Sequence, residues 1–440
     1  MSTSIMNASQ LPLKSDNDLI QAVYATYDAH GAASAPLACG SPPRTSPLVL
    51  ITQQIEDSER VAKAFGYTPE QLKNIPSEAN MGLSCGNPVA AASIKEGERV
   101  LDLGSGGGID IFLAASKVGP NGQAIGLDMS ENMIKKARKN ARQQKLYPPQ
   151  VAFVHAKLTD PLPIASDSID CVLSNCVINL LPPAGKAYVM QEVNRVLKPE
   201  GRFVLDDILA KSSLPEHIKS DMASYVACIS GAITVQEYEE FLSGAGFQDQ
   251  ACCGSVGPRK PTPDFDANQW VGKFCCTDSG IHLLSWLPIA SYQIYALKSD
   301  LKSDQSKTSQ SPLLNWWDAY PAVQSKDLPR MTAEDLAVLI QDPTQTSYAV
   351  IDGGHVRGSS QWPAQTFYDD LEKFFERYKE TEKLIFYCGS SNGRGPRCAG
   401  WYQDYLSEVG SKEAKAYVLQ GGIKEWLQRF GDEEALVDSD

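Results

Sequence analysis

Eleven cysteines are spread over 440 residues, and two of them stand in settings that imply different chemistry. Cys176 lies in the run Ser-Asn-Cys-Val-Ile-Asn-Leu, which ends at Leu180 and is downstream of a glycine-rich turn. A soft thiol there faces whatever the turn holds. Cys388 opens a second run, Cys-Gly-Ser-Ser-Asn-Gly-Arg, closed by Arg394. Glycine and serine permit a tight loop whose N–H groups converge on an anion. Arg394 can grip two oxygens in fork geometry, and the same donors are expected to favour a thiolate at Cys388. One chain therefore pairs a soft-sulfur site with a thiol that cradles an oxyanion.

The glycine turn comprises Asp102, Leu103, Gly104, Ser105, Gly106, Gly107 and Gly108. It follows the apolar run Arg99–Leu103 and opens a helix. Glycines there let the backbone approach a ligand, and a helix N-terminus supplies unpaired N–H groups. Asp128, with Met129 beside it, ends the next strand, where an acidic side chain receives ribose hydroxyls. The bland alternative is a tight strand-to-helix connection. The carboxylate ahead of the first glycine suits the charged amino-acid end of S-adenosylmethionine, and NAD is the competing ligand.

Alternating apolar strands and amphipathic helices from Glu96 to Asp206 predict an α/β fold with a mainly parallel sheet. Expected strands are 99–103, 123–127, 150–155, 168–174 and 202–206, with helices over 110–118, 131–144 and 185–197. The organisation read from the chain is a helical segment over 1–75, a core over 76–210 and a small appended α+β domain over 211–299. A polar, serine-rich linker covers 300–312, and a second α/β domain covers 313–440. That last domain has expected strands at 348–352, 383–387 and 416–420, and a helix starting near Pro396 that carries Cys398. A net charge of −13 argues against nucleic-acid partners. No apolar run approaches the ~20 residues of a membrane span. Met1–Asn17 lacks the features of a secretory leader, so a cytoplasmic protein with reduced thiols is expected. Clustered cysteines can bind zinc, but no Cys-x-x-Cys pair occurs, and no metal cofactor is expected.

Three separated motifs narrow the first region: Asn80 to Pro88 around Cys85, Ser174 to Leu180 around Cys176, and Cys228-Ile-Ser-Gly-Ala232. Together with the Leu-Lys-Pro-Glu-Gly turn at 197–201, they resemble the arsenite methyltransferase family over roughly residues 18–245. The resemblance implies a class I, Rossmann-like methyltransferase. It also implies that Cys85, Cys176 and Cys228 bind trivalent arsenic, and that Cys39 joins a thiol–disulfide cycle. Soft, three-coordinate arsenic prefers sulfur to imidazole or carboxylate. Three sulfurs leave it a lone pair that can attack a sulfonium methyl in line. The pentavalent product then needs electrons from protein thiols or an external reductant, glutathione or thioredoxin. Cys252, Cys253, Cys275 and Cys276 receive no role.

The five residues between Cys388 and Arg394, with Gly353-Gly-His355 and Gly421-Gly-Ile-Lys-Glu-Trp426, resemble rhodanese-fold phosphatases of the cell-division-cycle type and related arsenate reductases. That resemblance spans about 328–432 and implies attack of Cys388 on arsenate, with arsenite released by a second thiol. The stretch usual between Asp352 and Gly353 is missing, so an inactive rhodanese-like module is the alternative. The resulting expectation is an arsenic-detoxifying enzyme that reduces arsenate and methylates arsenite, with small arsenicals and a thiol reductant system as partners. A methyltransferase of another thiol substrate is the remaining alternative. Oligomeric state is not legible.

Overall fold

The computed structural model describes residues 15–32, 58–249, 289–298, 315–351 and 356–438. Cys39, Cys252, Cys253, Cys275, Cys276, the linker 300–312 and the shortened stretch 352–355 lie outside the described residues. The chain divides into two compact units, Met1–Ala319 and Tyr320–Asp440.

In the first unit, strands β1 (Arg99–Leu103), β2 (Gln123–Asp128), β3 (Val151–His155), β4 (Ile169–Asn175) and β5 (Leu197–Ala210) are parallel. Strands β6 (Phe247–Asp249) and β7 (Ile289–Lys298) complete the sheet in the order β3-β2-β1-β4-β5-β7-β6. The near-continuous apolar content of β1, β2 and β4 reflects burial on both faces, as a helix-covered parallel sheet demands. Strand β7 runs antiparallel to β5 over nine paired positions, from Arg202 opposite Leu297 to Ala210 opposite Ile289. The region read as an appended domain therefore lends its last strand to the core sheet.

The helices that position the site are α1 (Asp16–Ala32), α2 (Ile109–Val118), α3 (Glu131–Gln143) and α4 (Pro183–Val196). Ser130 caps α3 by accepting from the Met133 N–H, an arrangement typically worth ~1 kcal/mol. Asp28 of α1 joins that junction: its carboxylate accepts from the Ser130 hydroxyl at 2.7 Å and from Asn132 Nδ2 at 2.8 Å. Gly31 makes the approach possible, because a Cβ there would lie 2.6 Å from the Met133 nitrogen. The 198–201 turn expected from sequence lies within β5: Glu200 adopts φ +62° and the register against β4 shifts beside it, a bulge in a continuous strand.

The second unit has four parallel strands, β8 (Arg330–Met331), β9 (Tyr348–Ile351), β10 (Lys383–Phe386) and β11 (Lys415–Leu419), in the order β8-β11-β10-β9. Helices α5 (Ala333–Gln341), α6 (Leu371–Tyr378), α7 (Arg394–Glu408) and α8 (Gly422–Phe430) accompany them. Helix α7 begins at Arg394, two residues before the expected start, so Cys398 stands about one turn in. No helix among the described residues is long and apolar enough to cross a membrane.

Candidate functional site

The order of the first sheet reverses between β1 and β4, and a crevice opens beyond their carboxyl ends, where α/β sheets bind ligands. A cavity of about 130 Å³ there is lined by Asp102, Gly104, Ser105, Gly106, Asp128 and Met129, and by Cys176. Gly104 (φ +73°) and Gly106 (φ +51°) hold the left-handed turn. A Cβ on Gly104 would strike Val177 at 2.5 Å, whereas one on Gly106 would enter open space. Gly108 is not among the lining residues: a Cβ there would meet Phe112 and Phe153 at 2.8 Å, so its task is packing α2 on the sheet.

Asp128 braces the turn by accepting from the Gly106 N–H and the Ser130 N–H, each at 2.9 Å. Asp102 Oδ1 and Ser105 Oγ are buried and have no hydrogen-bond partner among the described residues. Burial, with Asp110 and Asp128 nearby, holds the Asp102 carboxyl well above the usual carboxylate range. Two orphaned polar atoms beside an open glycine turn fit a ligand carrying a cation and hydroxyl groups.

Next to this crevice three cysteines from distant stretches meet in one apolar cluster. Cys85, Cys176 and Cys228 are 1%, 5% and 2% exposed and share that cluster with Val23, Leu180, Ile208 and Tyr225. The Cys85 sulfur, the Cys176 sulfur and a carboxylate oxygen of Asp207 lie within 4.8 Å of one another. The Cys228 thiol donates to the Cys176 carbonyl at 3.1 Å, and the Cys85 thiol to the Asp206 carbonyl at 3.3 Å. Cys176 and Cys228 both adopt left-handed backbone, φ +61° and +62°. For residues with a Cβ this conformation is strained, and such strain gathers at functional sites.

Burial pushes the Cys85 thiol up to about 12. The hydrogen bond shared with Cys228 pulls Cys176 down, but the bond to Cys85 and burial together leave it well above the ordinary thiol value. Its bond to Cys176, then burial, raises Cys228 likewise. The cluster is thus a set of neutral thiols.

Sequence reasoning missed the groups that hold the cluster in place. Asn175 ends β4, accepts from the Cys85 N–H at 3.0 Å, and donates to Asp110 at 3.1 Å, Tyr67 at 2.9 Å and the Gly86 carbonyl at 3.1 Å. Asp207, 0% exposed, accepts from Asn179 N (3.2 Å), Asn179 Nδ2 (2.9 Å), Ile208 N (2.9 Å) and the Tyr238 hydroxyl (3.4 Å). Lys186, also buried, donates to the carbonyls of Asn179 and Leu181. Tyr27 of α1 donates to the Val226 carbonyl at 2.9 Å, two residues before Cys228. One signal was available in the sequence: the adjacent carboxylates Asp206 and Asp207 interrupt the otherwise apolar run from Phe203 to Ala210.

In the second unit Cys388 follows β10 and is buried, and Arg394 is exposed on the first turn of α7. The Ile423 and Lys424 N–H groups of α8 donate to the carbonyls of Cys388 and Gly389, each at 3.1 Å. Gly422 permits this, because a Cβ there would lie 2.2 Å from the Cys388 carbonyl oxygen. Ser391, at φ +51°, buries a hydroxyl that has no partner among the described residues. The loop therefore has one strained residue and one orphaned polar atom.

Residues 94–246 match the family model of a methyltransferase domain, and residues 332–429 that of a rhodanese-like domain. The chain thus joins a Rossmann-like methyltransferase domain to a rhodanese-like one. Its curated relatives include arsenite methyltransferases and, at 28% identity, demethylmenaquinone methyltransferases. The arsenite methyltransferase of Halobacterium salinarum is 37% identical over 213 residues, 48% of this chain and 53% of the relative. That of Mus musculus is 34% identical over 188 residues, 41% of this chain and 49% of the relative. Among solved structures, an arsenic(III) S-adenosylmethionine methyltransferase from Chlamydomonas reinhardtii is 27% identical, with a TM-score of 0.39, over 55% of this chain and 74% of that one. The chain spans about half the length of the curated relatives it matches.

Proposed function

We propose that the first unit methylates trivalent arsenic and that the second reduces arsenate to arsenite. The observation that carries the first half is the convergence of Cys85, Cys176 and Cys228, two of them on strained backbone, beside the glycine-turn crevice. The curated relatives carry the same activity in their names. Bound in the crevice, S-adenosylmethionine supplies an electrophilic sulfonium methyl. Asp102, with its unpartnered Oδ1, suits the ammonium of its amino-acid end, and Asp128 its ribose hydroxyls.

The neutral thiols suit arsenous acid. Each exchange of an As–OH bond for an As–S bond moves the thiol proton onto the departing hydroxide and releases water, so no charge is buried. Leu180, Ile208, Val23 and Tyr225 keep bulk water from the arsenic. Trivalent arsenic on three sulfurs retains a lone pair, the nucleophile for the methyl group. Methylation leaves arsenic pentavalent, and two electrons return from a thiol pair that becomes a disulfide, with glutathione or thioredoxin as the external source. Cys39 is proposed to take part in that cycle.

For the second unit, the support is Cys388 at a strand end and Arg394 opening the next helix, with the orphaned Ser391 hydroxyl between them. Cys388 would attack arsenate and displace hydroxide, and a second thiol would attack the sulfur of the adduct, releasing arsenite.

The test of the methylation half is Cys176→Ser. Arsenite-dependent methyl transfer should fall by more than the ~10–100-fold typical of removing an outer-shell partner, with S-adenosylmethionine binding within about threefold of wild type. Transfer to arsenite at the wild-type rate in that variant would overturn the assignment.

A further inference from the structure

Arsenic on three sulfurs has no use for a carboxylate, yet Asp207 presents one to the cluster. Zinc bonds at ~2.3 Å to sulfur and ~2.0–2.2 Å to oxygen put neighbouring ligand atoms of a tetrahedral ion roughly 3.5–3.8 Å apart. The Cys85 sulfur, Cys176 sulfur and Asp207 oxygen are gathered within 4.8 Å, close to that spacing. Asp207 is also oriented as metal-bound carboxylates are, by hydrogen bonds from Asn179 and Ile208 behind it. Cys176 and Met129 line the crevice, which supplies an entry path.

We propose that this pocket is also a site for a thiophilic divalent cation, Zn²⁺ or Cd²⁺, bound by the sulfurs of Cys85 and Cys176 and the carboxylate of Asp207, and that cation and arsenite exclude each other there. Binding converts two thiols to thiolates and sends two protons to solvent, with a third from the Asp207 carboxyl where that group is protonated. Two thiolates and one carboxylate against a divalent ion leave one negative charge, which the buried Lys186 ammonium offsets. Cys228 lies outside that three-atom group, so Asp207 is assigned to the cation and Cys228 to the metalloid. The exclusion rests on the arsenic reading above; the cation site itself does not.

The test titrates the full-length protein with Cd²⁺ alone, following sulfur-to-cadmium charge-transfer absorption and proton release. The other cysteines bind equally in wild type and variant, so the difference is the readout. Wild type should take one tight equivalent more than Asp207→Asn, or the variant should bind that equivalent ~100-fold more weakly. Cadmium curves that coincide would overturn the proposal, as would arsenite that loads wild type without expelling the ion. If the variant does not fold, X-ray absorption on zinc-loaded wild type decides: a mixed sulfur and oxygen shell that one equivalent of arsenite removes supports the site, and sulfur alone overturns it. Wild type that takes the cation yet never loads arsenite would sink the arsenic reading and leave the cation site standing.

Discussion

Asp207 shows what a single buried carboxylate costs its fold. Burial raises it to about 7, with the N–H of Ile208, Lys186 and Asn179 pulling the other way. Its unfolded value is ~3.9, so between pH 4 and 7 the native state binds the extra proton and stability falls as pH rises. At ~1.4 kcal/mol per unit, the loss is on the order of 4 kcal/mol. Asp207→Asn should therefore gain in melting temperature relative to wild type on going from pH 5 to pH 8; parallel profiles would contradict this account. The thiols predict the opposite kind of result. Cys85, Cys176 and Cys228 stay protonated across the neutral range, and exchange onto arsenous acid is proton-neutral. Arsenite loading should be flat from pH 6 to 8, and a tenfold rise per pH unit would point to thiolate as the binding species.

At the scale of elements, the thiol site depends on close contact between loops and strand ends. Gly86 follows Cys85 and presses on β5: a Cβ there would lie 2.0 Å from Asp206 Cγ. Overpacking of this kind typically costs about 1–3 kcal/mol. Gly86→Ala should destabilise the protein by that amount in a denaturant melt. It should also weaken arsenite loading, because Cys85 must move with the loop, and unchanged loading would show that the loop adjusts freely. Helix α1 makes a comparable contribution from the other side. Asp28 secures it to the start of α3, and Tyr27 ties it to the segment that ends at Cys228. Three elements distant in sequence thus hold the walls of one pocket.

For the whole molecule, the two proposed reactions run in series. Arsenite is released as a neutral acid, so it can pass from one site to the other by diffusion, and covalent linkage raises its local concentration. Cys388→Ser should abolish methylated products from arsenate and leave methylation of added arsenite within about twofold of wild type. The check is arsenic speciation over time, with S-adenosylmethionine and a thiol reductant present. Methylated product from arsenate at the wild-type rate would remove the second unit from the chemistry and leave it a binding module.

Strand and helix positions in the first unit were readable because they rest on local periodicity and glycine signals: Arg99–Leu103 is a strand as expected, and Glu131–Gln143 differs from the expected helix by one residue. The three cysteine motifs and the Cys388–Arg394 spacing were equally legible, since motif order survives in one dimension. Tertiary structure alone decided what depends on long-range pairing. It brought β7 back against β5, across more than 75 residues, and set the thiols of Cys85, Cys176 and Cys228 in one apolar cluster. It also turned Asp207 towards sulfur and moved the start of α7 to Arg394. Neither a left-handed φ at Cys176 nor a carboxylate's distance from a thiol is encoded by neighbours in sequence; both are imposed by packing from remote segments.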